Sequence, residues 1–179
     1  SWLLSVNKEE AQKILVTAGD RGTRVHEAIR DLIDGIEVGI DKKYPSELTK
    51  GRFEPLTNEE WDCIRGFVNF VNDYKPEVYT QERVVWSDEH KYAGTIDFLG
   101  TIEVTQKVEK KVGDKVKTEK VANRIEVLID WKTSSGVWDE YKLQVAAYRM
   151  AWFEMTAEEN FYPQSTAIVR IGTNHTKGY

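Results

Sequence analysis

Glu126-Val127-Leu128-Ile129-Asp130-Trp131-Lys132 is the stretch that decides the fold. With Ile125 before it, Ile125, Val127 and Ile129 face one way, which predicts a strong β-strand. Side chains two apart on a strand share a face, so Asp130 and Lys132 stand side by side at its end. An ordinary ion pair is one reading of that Asp-x-Lys. A catalytic carboxylate and lysine is the other.

Upstream, Val78 to Trp86 and Tyr92 to Leu99 read as two further strands joined by the polar turn Ser87-Asp88-Glu89-His90. The second, Ala93-Gly94-Thr95-Ile96-Asp97-Phe98-Leu99, places another carboxylate inside an apolar run. Two carboxylates converging on one point repel unless a cation lies between them, and oxygen-rich clusters of this kind suit Mg²⁺ or Mn²⁺. Gly94 fits either a close backbone approach or simple turn geometry. Between the two acidic strands, Thr101 to Arg124 alternates valine with charged and polar residues around Gly113-Asp114. A protruding basic β-hairpin is expected, either gripping phosphates or merely kept soluble by its charge.

Further out the period becomes helical. Lys8 to Ala18 and Thr23 to Ile33 read as two helices broken at Gly19-Asp20-Arg21-Gly22, with Thr23 as a cap. Residues 36–56 hold Gly39, Pro45, Gly51 and Pro55 and read as a long loop. Thr57-Asn58-Glu59-Glu60 is a capping box opening a helix that must end before Pro76. A helix from about Trp138 to Met155 and a short strand, Thr166 to Ile171, close the chain. The class is α/β, a mixed sheet flanked by helices in one domain over 1–179, with 101–124 as an insertion.

Composition narrows function. The 179 residues are 40% hydrophobic and 31% charged, enough for a packed core, with no apolar run of the roughly 20 residues a bilayer span needs. The net charge of −5 excludes a uniformly basic coat, though not a local basic channel. A single cysteine, Cys63, excludes a disulfide framework, a zinc ribbon and a four-thiolate iron–sulfur cluster. A reducing, cytoplasmic location is expected; the chain opens on Ser1 with no signal-peptide pattern. No phosphate-binding loop of the motor type occurs.

Gly94-Thr95-Ile96-Asp97, then Ile129-Asp130-Trp131-Lys132-Thr133-Ser134, then Gln144 with Tyr148 resemble the ordered motifs of the PD-(D/E)XK nucleases. Arg21-Gly22-Thr23-Arg24-Val25-His26-Glu27 resembles the histidine-bearing helix of their RecB-like, phage-type exonuclease branch. The resemblance implies a restriction-endonuclease-like core and a Mg²⁺- or Mn²⁺-dependent exonuclease used in recombination, replication or repair. It implies Asp97 and Asp130 as metal carboxylates, the Trp131 carbonyl and His26 as further ligands, and Lys132 acting on water and phosphate; without it, His26 reads as a hydrogen-bonded helix histidine. It implies Gln144 and Tyr148 facing the nucleic acid, and Glu82 near the metal without holding it, the other reading of Glu82 being an exposed strand charge paired with Arg83 or Lys91. Tyr148 reads equally well as part of the buried stripe Tyr141, Val145, Tyr148, Trp152. Lys110, Lys111, Lys115 and Lys117 of the hairpin are candidate phosphate contacts. DNA is the expected partner, with a recombinase, single-strand-binding protein or helicase working alongside. Rival readings are a non-catalytic nucleic-acid-binding module, a fragment of a larger nuclease, and a hydrolase of small phosphate esters.

Overall fold

The computed structural model describes residues 8–112, 115–156, 161–172 and 176–179, with side chains at all of these except 8, 9, 11, 110–112 and 115–117. Its contacts divide the chain into two compact units, Ser1–Asn69 with Trp131–Trp138 and Val169–Tyr179, and Phe70–Asp130 with Asp139–Ile168. Among the described residues the class is α/β, with three long helices and a mixed four-stranded sheet. Among the described residues no helix is long and apolar enough to cross a membrane.

The first unit begins with α1, Lys8–Ile33, which is one unbroken helix. The break expected at residues 19–22 does not occur, and Thr23 caps nothing. A glycine inside a helix costs about 1 kcal/mol relative to alanine. Tertiary bonds at that same turn outweigh the cost. Asp20 accepts from the Ser46 hydroxyl at 2.9 Å and from the Glu47 amide at 2.5 Å. Arg21 donates to the Thr133 carbonyl at 3.2 Å and pairs with Glu59 at 3.1 Å.

Part of the loop expected over 36–56 is instead a small antiparallel hairpin, β1 (Lys43–Ser46) and β2 (Arg52–Pro55). Its turn is made by Lys50 and Gly51, both left-handed with φ of 57° and 77°. The strands are only four residues long and each contains a proline, so no alternating pattern announces them. Tyr44, 3% exposed, anchors the hairpin by donating its hydroxyl to Asp31 at 2.9 Å.

α2, Asn58–Tyr74, opens on the capping box as expected. The Thr57 amide donates to Glu60 at 2.6 Å and the Glu60 amide to the Thr57 hydroxyl at 3.3 Å. Its Phe67 meets Trp131 edge to face, centroids 5.3 Å apart. Cys63 is buried, donates weakly to the Ile171 carbonyl at 3.5 Å, and burial pushes its thiol above the ordinary pKa. It is an inert packing group.

The second unit holds most of the sheet, in the order β3 (Glu77–Ser87), β4 (Tyr92–Val112), β5 (Lys115–Lys132) and β6 (Ser165–Arg170). β3–β4 and β4–β5 are antiparallel. β6 runs parallel to β5, since the Gln164 and Ile171 amides donate in the same order to the Glu126 and Lys132 carbonyls. The expected segments 92–99 and 101–124 are one continuous pair of strands, registered from Phe98↔Ile129 to Val112↔Lys115. α3, Asp139–Met155, packs on this sheet through a core of Val85, Ile96, Leu99, Leu128, Val145, Ala151, Trp152 and Phe161.

Candidate functional site

The registers set the backbones of Glu82, Asp97 and Asp130 at one level of the sheet. Glu82 and Asp97 lie between the pairs Gln81↔Phe98 and Arg83↔Ile96, so they occupy the same level of β3 and β4. Asp97 and Asp130 both follow next on the pair Phe98↔Ile129, which levels them on β4 and β5. Adjacent strands lie about 4.8 Å apart. A Glu82 oxygen comes within 4.8 Å of one on Asp97. Asp97 is 9% exposed and Asp130 3%, whereas Glu82 is open to solvent.

The strands are irregular at this level. Ile96 and Leu99 pack into the same core cluster although they are three apart, which a strictly alternating strand cannot do. β4 therefore changes face between them, at Asp97-Phe98. Its neighbour across the sheet, Glu82, has a left-handed φ of 49°. A non-glycine residue held there stores about 1–3 kcal/mol, and such strain concentrates at functional sites. Alternation alone reads Asp97 as an ordinary strand residue and does not reveal the break.

Lys132 is half-buried and two residues beyond Asp130 on the same strand, and its carbonyl accepts from the Ile171 amide at 2.9 Å. In the first unit, His26 on α1 brings Nε2 to 3.0 Å from the main-chain oxygen of Trp131. A carbonyl only accepts, so this contact is a hydrogen bond donated by the His26 imidazole. In the second unit, Glu82, Asp97 and Asp130 supply carboxylate oxygens, the donors that Mg²⁺ and Mn²⁺ take.

Gln144 and Tyr148 share a face of α3, and Gln144 Nε2 donates to the Tyr148 hydroxyl at 2.8 Å. Tyr148 packs partly against the core while its ring covers Gly94, where an added Cβ would overlap it. The ring of Tyr148 therefore packs, as the buried-stripe reading has it, while its hydroxyl accepts from Gln144. Close approach is the reason for glycine at 94. Gly94→Ala is expected to destabilise the protein by about 1–3 kcal/mol, as overpacking does. The cost should largely vanish in a Tyr148→Ala background. Chemical denaturation of the single and double variants checks this, and equal costs in both backgrounds would remove the assigned contact.

The side chains of Lys110, Lys111, Lys115 and Lys117 lie outside the described residues. Their backbone register sets Lys110 opposite Lys117, and Lys107 opposite Lys120. Glu89 and His90 in the β3–β4 turn and Glu154 on α3 also bring ligand atoms within 4.8 Å of one another, but all three are exposed, and exposed acidic groups are common without an ion. A cleft of about 620 Å³ in the first unit lies among Asp20, Arg21, Arg24, Ser46, Glu59 and Glu60. Its charges are already spent on one another, chiefly in the buried Arg24–Glu60 pair. The motif reading singled out no role for Arg24; its signal is a charged residue one position from the buried Val25 of an amphipathic helix. No protein-family model, curated protein or solved structure matches the chain.

Proposed function

We propose that the chain is a Mg²⁺- or Mn²⁺-dependent deoxyribonuclease of the PD-(D/E)XK type, with a restriction-endonuclease-like core and a RecB-like exonuclease activity in the cytoplasm. One observation carries the reading: Asp97 and Asp130 are buried at one level of adjacent strands, with Lys132 two residues on. Burying two carboxylates together is unfavourable unless a cation offsets their charge. Asp97 and Asp130 would hold that cation, and the resemblance to the nucleases implies His26 and the Trp131 carbonyl as further ligands. When bound, it supplies charge neutralisation at the phosphate and a more acidic water.

The chain's own groups do the rest. Lys132 orients the attacking water and donates to a non-bridging phosphate oxygen, where negative charge grows as the water oxygen bonds to phosphorus. The bond from phosphorus to the sugar oxygen breaks, that oxygen takes a proton from solvent, and the attacking water gives one up to solvent. Tyr148, steadied by Gln144, donates its hydroxyl to the nucleic-acid backbone. Like charges set directly opposite on a strand pair destabilise it, and Lys107↔Lys120 is such a pair. A solvated ribbon gains nothing from that arrangement. A basic hairpin that meets phosphates does.

The test is release of acid-soluble nucleotide from linear DNA. Expected is no release in chelator, restored release with Mn²⁺ or Mg²⁺, and sparing of covalently closed circles. Undiminished release in excess EDTA, with metal verified absent, overturns the two-carboxylate site. Turnover of a small phosphodiester with none of DNA moves the reading to an esterase.

A further inference from the structure

Immediately after Lys132 the chain forms a short loop that is clamped on both sides. The Thr133 carbonyl accepts from Arg21 at 3.2 Å, and the Ser134 carbonyl from Arg170 at 3.2 Å. The Ser134 hydroxyl closes the turn on the Gly136 carbonyl at 2.8 Å. The loop ends in Trp138, which is 53% exposed.

The indole is laid on the backbone of Gly136. A Cβ built there would stand 3.1, 3.3 and 3.4 Å from three consecutive carbons of the six-membered ring. Distances so nearly equal belong to a ring seen from its face, since an edge would present one atom far ahead of its neighbours. One face of Trp138 therefore lies on the loop, and the exposed surface includes the other. Glycine at 136 permits the close seating.

Helix capping does not explain tryptophan here. Trp138 stands directly before α3, where helices favour Ser, Thr, Asp or Asn because their side chains accept from the first free amides. Tryptophan only donates. Its reach is also limited: six residues past Lys132, an extended chain covers at most about 20 Å.

We infer that Trp138 is a base-stacking platform, which holds an unpaired nucleobase of the strand entering the site and makes single-stranded or frayed ends the preferred substrate. The inference rests on the nuclease reading above. Every base offers a π-face, so a half-exposed indole within about 20 Å of a phosphate-handling lysine recognises a nucleotide strand without reading its sequence. The clamps from Arg21 and Arg170 keep the loop ordered before the strand arrives, which lowers the entropic cost of binding.

The experiment measures fluorescence anisotropy of two labelled strands of equal length, oligo(dT) and an abasic sugar–phosphate chain. The protein carries Lys132→Ala to prevent cleavage. Trp138→Ala is expected to weaken oligo(dT) binding on the order of 10-fold, as loss of one stacked base does, and to leave the abasic strand unaffected. Trp138→Phe should recover most of the loss, which shows that the loop still folds. An unchanged oligo(dT) affinity, or an equal loss on both strands, overturns the inference and leaves the nuclease reading standing. A parent protein that binds neither strand overturns both.

Discussion

Asn at position 97 or 130 is expected to abolish DNA cleavage, with a fall of at least about a thousandfold, while the fold survives. The activity loss follows from the cation, whose stabilisation of phosphate charge is worth several kcal/mol, and each 1.4 kcal/mol of barrier is tenfold in rate. Survival follows from the register. Two carboxylates a strand spacing apart, at an effective dielectric constant near 20, repel by on the order of 3 kcal/mol. Removing one charge relieves that repulsion, so melting in EDTA should occur at the parent's temperature or above it. Mn²⁺ should then separate the variants. The parent's melting temperature rises with Mn²⁺, because a ligand that binds only the folded state stabilises it by mass action. Asp97→Asn and Asp130→Asn lose that rise together with activity. Lys132→Ala should lose activity and keep the rise, since the ammonium is not a ligand. A carboxylate variant that cuts at the parent's rate, or that keeps the full Mn²⁺ shift, ends the assignment of its residue.

The parts legible in the sequence are those governed by neighbours along the chain. The capping box at Thr57–Glu60 closes as read, because both partners lie within one turn. The strand ending in Asp130-Trp131-Lys132 shows its apolar alternation plainly, and α3 starts within a residue of its expected position. What stayed hidden depends on partners far away in sequence. α1 runs through two glycines only because Ser46, Glu47 and Thr133 bind Asp20 and Arg21. The β1–β2 hairpin has strands too short for a period to show, and its buried Tyr44 is fixed by Asp31 on α1. The change of face at Asp97 is set by the neighbouring strand, where Glu82 turns left-handed. Candidate ligands could be listed from motifs, and the 3.0 Å contact of His26 with the Trp131 carbonyl shows why: the tertiary structure, not the sequence, joins positions 105 residues apart.

The largest stability effect is expected from Arg24, one turn of α1 beyond those glycine-flanked contacts. Its guanidinium grips Glu60 through Nε at 2.8 Å and Nη2 at 3.2 Å, with both side chains 3% exposed. Its remaining donors meet the Pro55 carbonyl at 2.6 Å and the Tyr44 carbonyl at 3.3 Å. Glu60 is held from the other side by the Thr57 amide. One ion pair thus ties α1 to both hairpin strands and to the first turn of α2. Arg24→Met removes the cation and leaves a buried carboxylate with its amide alone, so a loss of about 3–5 kcal/mol is expected. For a chain of this size that lowers the melting temperature by roughly 2–4 °C per kcal/mol, or some 6–20 °C in all. Arg24→Lys should recover little, because an ammonium cannot reproduce the forked contact with Glu60 and the two carbonyls together. Glu60→Gln added to Arg24→Met should recover part of the loss, since it removes the stranded charge; the two sites then show strong coupling in a double-mutant cycle. Denaturant titration of the parent, Arg24→Met, Glu60→Gln, the double variant and Arg24→Lys measures it. A loss below about 1 kcal/mol for Arg24→Met, the range of a solvent-screened surface pair, would show that water reaches Glu60 and that the pair does not anchor the helix carrying His26.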